Sequence, residues 1–246
     1  MSDNARYDGP DLNVFAEAHN WYAYLARLYA PHLGHRVLEV GAGIGTITEK
    51  MAPYVANGVV GQWVCLEPDN DQSANLKAMI ASGKLPAVCT VSNGLLADLP
   101  AHELFDLILY SDVLEHIEDD QGELLRAAEH LTPGGRLLVM SPAHNWLFSD
   151  LDRLARHFRR YTRSTLCAIA PPGLKLVDLK YLDSASMAAS LANKLALRRG
   201  TPSPAQILLW DRGLVRISRW LDPLTCFRIG KSILAVWHNT KDEGKL

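Results

Sequence analysis

The sequence predicts an α/β fold: a seven-stranded, mostly parallel sheet with helices on both faces and a helical insertion before the last strand. Three observations carry that prediction. Short apolar runs alternate with helix-spaced stretches from residue 36 to residue 141, and repeated strand and helix units fold as parallel sheets covered on both sides. The first run, VLEV, passes directly into GAGIGT, so glycines at 41, 43 and 45 mark a tight strand-to-helix turn with bare backbone. A long stretch of helical pattern, 184–230, separates the last two strands.

Taken in order, Phe15, Ala18, Tyr22, Leu25 and Tyr29 recur at three or four, which predicts a helix over 15–33 with its apolar face on the sheet. The core then alternates: RVLEV and a helix over 47–56, WVCLE and a helix over 71–81, AVCTVS and a loop, FDLILYS and a helix over 122–130, and finally GRLLVMS. Gly134 and Gly135, after Leu131-Thr132-Pro133, are expected to end that last helix and turn the chain into the fifth strand. Pro171-Pro172-Gly173 stops a short helix, LKLVDLKYL reads as strand six and Ser232 to Trp237 as strand seven.

The insertion contains SMAASLANKLALRRG and AQILLWDRGLVRISRWLDPL, parted by prolines at 202 and 204. In the second pattern Trp210, Leu214, Ile217 and Leu221 share a face expected to pack on the core or narrow a pocket, with Arg212, Arg216 and Arg219 on another. A single domain, 1–246, follows. Its parts are a helical segment (1–35), a cofactor-binding core (36–141), an acceptor-side segment with strand six (142–183), a cap (184–230), and the last strand and tail (231–246).

With 246 residues, 48% hydrophobic and 21% charged, the chain has enough apolar content for one substantial core. The start is polar without a basic flank, and no apolar run approaches the roughly 20 residues of a membrane span; a cytoplasmic protein is expected. Cys65, Cys89, Cys167 and Cys226 lie far apart with no companion ligands, so neither a disulfide framework nor a metal is expected. The net charge of −2 is unevenly spread: Arg153, Arg156, Arg159, Arg160 and Arg163 crowd one stretch, and the insertion is basic.

A dinucleotide fingerprint has the spacing G-x-G-x-x-G; here the third glycine comes one residue early. Glu39 lies two residues before the loop, where a carboxylate attracts a cationic amine and repels a pyrophosphate. Glu67 ends the second strand about 20 residues on, the distance at which an acid takes both hydroxyls of a ribose. The pattern E-x-G-x-G-x-G with a distal acid, continued by FDLILYSDVLEHIEDD and LTPGGRLLVMS, resembles class I S-adenosylmethionine-dependent methyltransferases with their Rossmann-like sheet. The resemblance implies S-adenosylmethionine as cofactor, with Gly41, Gly43 and Gly45 beneath its methionine part, Glu67 on the ribose, and Ser111 and Asp112 beside the sulfonium. Where that family often uses an Asp for adenine, this chain has VSNGLL, which leaves Asn93 and the backbone at Leu95. Glu115 and His116 in LEHI offer an acid–base pair, but are read first as a structural pair at a helix start, and Glu118, Asp119 and Asp120 as a solvated run.

Beyond the fifth strand comes SPAHNWLFSDLDRLARHFRRYT. A helix from Asp150 would put Leu151, Leu154 and Phe158 on one face and Arg153, His157, Arg160 and Tyr161 on another. The PAH-x-W-L, LD and HFRRYT elements resemble a narrower branch of the family. Members of that branch occur beside glycan and polyisoprenoid-linked sugar metabolism and among methylases of small acids and natural products. Substrate contacts are accordingly expected from Trp146, Arg160 and Tyr161. A hydroxyl acceptor must lose a proton, a task suited to His144 or His157, whereas an anionic acceptor would rely on Arg160.

The expectation is methyl transfer to oxygen of a small-molecule or lipid-linked acceptor in bacterial-type secondary or glycan metabolism. A non-methyl-transfer reaction such as cyclisation on the same cofactor is the alternative. The glycine spacing and Glu39 argue against an NAD-dependent oxidoreductase. A nucleic-acid methyltransferase is a further alternative, favoured by the arginine clusters, although balanced net charge and the lack of a recognition module argue against nucleic acid as partner. The basic insertion allows peripheral contact with a membrane, and the chain is either monomer or homodimer.

Overall fold

The computed structural model describes residues 15–187, 189–190 and 203–241. Its seven strands are β1 (Arg36–Val40), β2 (Gln62–Glu67), β3 (Cys89–Asn93), β4 (Phe105–Ser111), β5 (Leu131–Pro142), β6 (Leu174–Leu182) and β7 (Ser232–Asn239). They form one sheet in the order β3-β2-β1-β4-β5-β7-β6. β1 to β5 pair in parallel, while β7 runs antiparallel to both β5 and β6. The chain winds outward from β1 to β3 and then restarts at β4 on the other side. This order reverses between β1 and β4, and ligands bind outside the strand ends at such a reversal.

Alternate strand residues feed two cores. Val37, Trp63, Cys65, Leu107, Leu109 and Met140 face α1 (His19–Tyr29), α2 (Thr46–Val55) and α3 (Asn70–Ala81). Leu38, Leu66, Ile108, Tyr110 and Val139 face α4 (Asp120–Glu129) and α6 (Arg163–Ala168). Burial on both faces explains why these strands read as continuous apolar runs.

Three local expectations change. The fourth helix ends at Glu129, and Leu131 already pairs with Phe105; the next pair is Leu107 with Arg136, so Thr132–Gly135 bulges inside β5 rather than capping a helix. The helix from Asp150 is a single short piece, α5 (Asp150–Leu154), because Arg156 adopts a positive φ of 57° and the His157 N–H turns back onto the Asp152 carbonyl.

The insertion holds α7 (Pro204–Leu209), a π-turn (Trp210–Leu214) and α8 (Val215–Leu224). Its buried face is Ile207, Asp211, Val215, Ser218 and Asp222, while Ile217 and Leu221 point outward. Trp210 and Leu214 line a cavity, so the expected single apolar face is divided between pocket and surface. Most of SMAASLANKLALRRG lies outside the described residues.

Candidate active site

A cavity of about 1600 Å³ opens at the carboxyl ends of β1 and β4. On one side the glycine loop forms its wall. Gly41 and Ala42 donate their N–H groups to the Leu66 carbonyl at 2.8 and 3.1 Å, tying the loop to β2. Gly41 has a φ of 66°, and a Cβ there would stand 2.7 Å from Val113 Cγ2. Gly45, at φ 80°, does not line the cavity; a Cβ there would meet Leu76 at 2.8 Å, so this glycine seats α2 and α3 together.

Two carboxylates flank that loop. Glu39, buried, accepts from Thr48 Oγ1 at 2.5 Å and Trp63 Nε1 at 2.9 Å, and burial pushes its pKa up to about 7. Glu67 accepts from the Gly43 N–H at 2.8 Å and the Asp69 N–H at 3.0 Å, and burial raises its pKa as well. Each Glu67 oxygen keeps a second acceptor direction for a ligand hydroxyl. Glu39, Glu67 and Asp69 all line this end, so the cradle suits a cationic amino-acid nucleoside and opposes a diphosphate.

Asn93 is displaced from its expected role. Its amide donates to the Glu67 carbonyl and Ser73 Oγ at 3.0 Å, bracing the β2 end, and it does not line the cavity. Leu95 does, together with Gln72, whose buried Oε1 has no partner among the described residues. Gln72 escaped sequence reasoning because nothing in its helix marks which side chain turns inward.

Ser111 and Asp112 lie at the end of β4. Ser111 Oγ is 3.1 Å from Tyr29 Oη. Asp112 sits at φ 54° with its surface open to the cavity, and its pKa is raised to about 6: enclosure by protein raises it, and His157, Lys231 and Arg160 pull it back.

The opposite wall is organised by Asp152, a residue that sequence reasoning gave no role. Fully buried, it accepts from His157 Nδ1 (2.9 Å), Arg160 Nε (2.7 Å) and Nη2 (2.8 Å), and the Ser149 N–H and Oγ (both 2.8 Å). Burial pushes its pKa up, but the bonds from His157 and Arg160 outweigh this and hold it well below the usual carboxylate range. An ionised Asp152 requires the proton of a neutral His157 on Nδ1, which leaves Nε2 as the basic atom. The only signal in the sequence was a carboxylate five residues before a histidine.

The same carboxylate engages Arg160 on two nitrogens, so this guanidinium lines the cavity as a strut. Tyr161 is corrected more fully: it is buried, and its hydroxyl donates to Asp120 at 2.7 Å, away from the pocket. His144 and Trp146 also lie outside the lining. His144 stacks on Tyr181 at 4.9 Å and bonds the Gly230 backbone, and burial lowers its pKa; the ring ties the exit of β5 to β6 and the approach to β7. Trp146 packs against His144. Lys231, another residue without an assigned role, enters the cavity, 3.2 Å from Asp183 Oδ2 and over the Trp210 ring at 4.2 Å.

Beneath His157 lie two more titratable groups. The His116 ring meets His157 edge-on at 4.5 Å, and burial lowers its pKa to about 4. Glu115 accepts from Ser141 at 2.9 Å through Oε2, while its buried Oε1 has no partner among the described residues; burial raises its pKa well above the carboxylate range. Glu115, His116 and His157 each bring a donor atom within 4.8 Å of the others, a set able to hold a cation.

A family model described as "Methyltransferase domain" matches residues 14–178. The ubiquinone biosynthesis O-methyltransferase of Nitrobacter winogradskyi is 32% identical over 52% of this chain and 56% of its own length. The demethylmenaquinone methyltransferase of Tropheryma whipplei is 30% identical over 65% of this chain and 61% of its own. The chain spans about half the length of the curated relatives it matches. Among solved structures, the [4+2]-cyclase SpnF superposes with a TM-score of 0.60 at 18% identity, covering 88% of this chain and 80% of that one. The N-methyltransferase NodS from Bradyrhizobium japonicum, in complex with S-adenosyl-L-homocysteine, gives 0.53 at 17% identity, covering 97% and 93%.

Proposed function

The chain belongs to the S-adenosylmethionine-dependent methyltransferases of the methyltransferase domain family, and on that premise we propose that it methylates a hydroxyl oxygen of a largely apolar small molecule. The observation that carries this reading is the Asp152–His157 pair, which faces the same cavity as the Glu39 and Glu67 cradle. A carboxylate acceptor needs no base, but a hydroxyl does. Arg160, which would have recognised an anion, is engaged by Asp152.

Bound S-adenosylmethionine supplies the electrophilic methyl carbon. In this reading Glu39 attracts its amino-acid end, Glu67 accepts from the ribose, and Leu95 and Gln72 meet the base. His157 Nε2 takes the acceptor's hydroxyl proton as oxygen attacks, and Asp152 keeps the ring in the required tautomer and stabilises the imidazolium. Lys231 and Asp112 border the position of the acceptor oxygen. The apolar limb along Trp21, Ile207, Trp210 and Leu214 receives the rest of the molecule. Both curated relatives are named for quinones, and the ubiquinone one is by its name an O-methyltransferase, which supports a ring hydroxyl on an apolar carrier as the first acceptor class to try.

The test is turnover of S-adenosylmethionine with a panel of catechols and hydroquinones against aliphatic carboxylates. Stoichiometric adenosylhomocysteine and an aryl methyl ether are the expected products. Methyl esters from the carboxylates alone would shift the reading to anionic acceptors. Acceptor conversion without adenosylhomocysteine would point to a rearrangement such as cyclisation.

A further inference from the structure

The outer side of the insertion carries a surface that the active site does not use. α8 is mounted with its polar side inward. Asp222 accepts from Tyr24 Oη at 3.0 Å and from the Asp183 and Ser184 N–H groups at 2.9 and 3.0 Å, and Ser218 Oγ donates to Asp183 at 2.7 Å. Just upstream, Asp211 accepts from the Asn20 side-chain amide at 2.7 Å and the Trp21 N–H at 2.9 Å. Rotating the helix would strand these buried carboxylates, at a cost larger than apolar burial returns.

The large apolar side chains are therefore held outward. Ile217, Trp220, Leu221 and Leu224 fall at i, i+3, i+4 and i+7, one continuous stripe. Trp220 is 81% exposed and Leu224 79%. Arg216 and Arg219 run along one edge of the stripe, and Arg27 of α1 joins them: partial burial, then Arg27 and Arg216, depress the Arg219 pKa. Among the described residues none of these three arginines pairs with an acidic side chain.

We infer that this face of α8 seats the protein on an anionic lipid surface, with the stripe entering the interface and the arginines meeting the headgroups. An amphipathic helix with Trp and Leu beside unmatched cations has the composition such a surface selects. An antiparallel symmetric second copy would set the same arginines side by side. No helix among the described residues is long and apolar enough to cross a membrane, so the contact lies in the plane of the interface. α7 and the π-turn just before α8 line the cavity through Ile207, Trp210 and Leu214, so pocket wall and lipid contact are consecutive parts of one insertion. The inference concerns the surface alone and stands whichever acceptor the cavity takes.

The experiment is flotation of the purified chain with vesicles of phosphatidylcholine alone and of equal parts phosphatidylcholine and phosphatidylglycerol, at low and high salt. Adenosylhomocysteine affinity serves as the independent check of folding and of the cofactor site. The chain is expected to float with the anionic vesicles and to be released by salt. Arg216→Glu with Arg219→Glu should weaken partition by roughly 30-fold or more. Trp220→Asp with Leu224→Asp should abolish it, with cofactor affinity unchanged in both pairs. Failure to float with phosphatidylglycerol vesicles at low salt overturns the inference. Flotation that neither salt nor either pair of substitutions alters also overturns it. So does a dimer in sedimentation velocity that Trp220→Asp dissociates, which would assign the stripe to a second copy.

Discussion

The two walls of the cavity are assembled by different rules. The cofactor wall is a product of strand pairing. Glu39 and Glu67 end neighbouring strands whose register is Glu39 with Cys65 and Val40 with Leu66, and backbone N–H groups hold the loop between them. The acceptor wall is a product of one side chain. His157, Arg160 and Ser149 take their places by bonding Asp152, on a segment with barely a turn of helix. A backbone-built wall loses affinity in parts when altered, whereas a wall hung on one buried carboxylate fails as a unit.

The largest test of that contrast is His157→Gln. Loss of the base should lower kcat for a hydroxyl acceptor by roughly 10²- to 10⁴-fold, with adenosylhomocysteine affinity by calorimetry unchanged. A parallel loss of cofactor affinity would mean the walls are not separate. Dialysis against a chelator should leave the wild-type rate as it was. A loss restored by a divalent cation would instead make Glu115, His116 and His157 ligands and remove the base.

Next comes Asp152→Asn, which keeps the shape but presents an amide where the carboxylate accepted from the His157 ring and the Arg160 guanidinium. We expect a drop of roughly 10- to 100-fold in kcat and a displaced pH–rate profile, because the imidazolium loses its counter-charge. An unchanged profile would make Asp152 a purely architectural residue. His157→Gln alone would then carry the assignment.

The same contrast explains what was legible in the sequence. Glu39, the glycines and Glu67 could be read because strand pairing turns short sequence spacings into fixed spatial ones. Even there Gly45 proved to serve helix packing and Asn93 to brace β2, since spacing places a residue near a site without saying which way it faces. On the acceptor side a helical wheel was the wrong ruler: Arg156 breaks the helix, and His157 and Arg160 converge through Asp152 instead. The wheel also grouped the residues of α8 without revealing which group was buried. Carboxylates recruited by Tyr24, Asn20 and Trp21, some 190 residues away in sequence, decide that orientation, and no local pattern encodes it.

A smaller effect probes the cofactor wall alone. Burial raises the Glu39 pKa to about 7, so below that pH the free protein carries this carboxyl protonated. An ammonium group is favoured only by the ionised form. Cofactor binding should therefore release a proton, and affinity should fall by about tenfold for each pH unit below about 7 and level off above it. Calorimetry in buffers of different ionisation enthalpy measures both effects. Glu39→Gln should flatten the dependence; a slope that survives it belongs to Glu67 or to another group.

The smallest expected effect is the sharpest check on the acceptor wall's boundary. His144 stacks on Tyr181 and bonds the Gly230 backbone, outside the cavity. His144→Phe keeps the stacking and deletes the bond, so it should cost about 1 kcal/mol of stability and change kcat by less than about twofold. Both histidines border the chain leaving β5, but only His157 lines the cavity, and their partners differ as well: a carboxylate for His157, a backbone carbonyl for His144. Because only an ionised partner stabilises the imidazolium that proton abstraction creates, a large kcat loss in His144→Phe with folding intact would show that the chain opens here during turnover. The acceptor wall would then extend to the exit of β5, and its dependence on Asp152 alone would be lost.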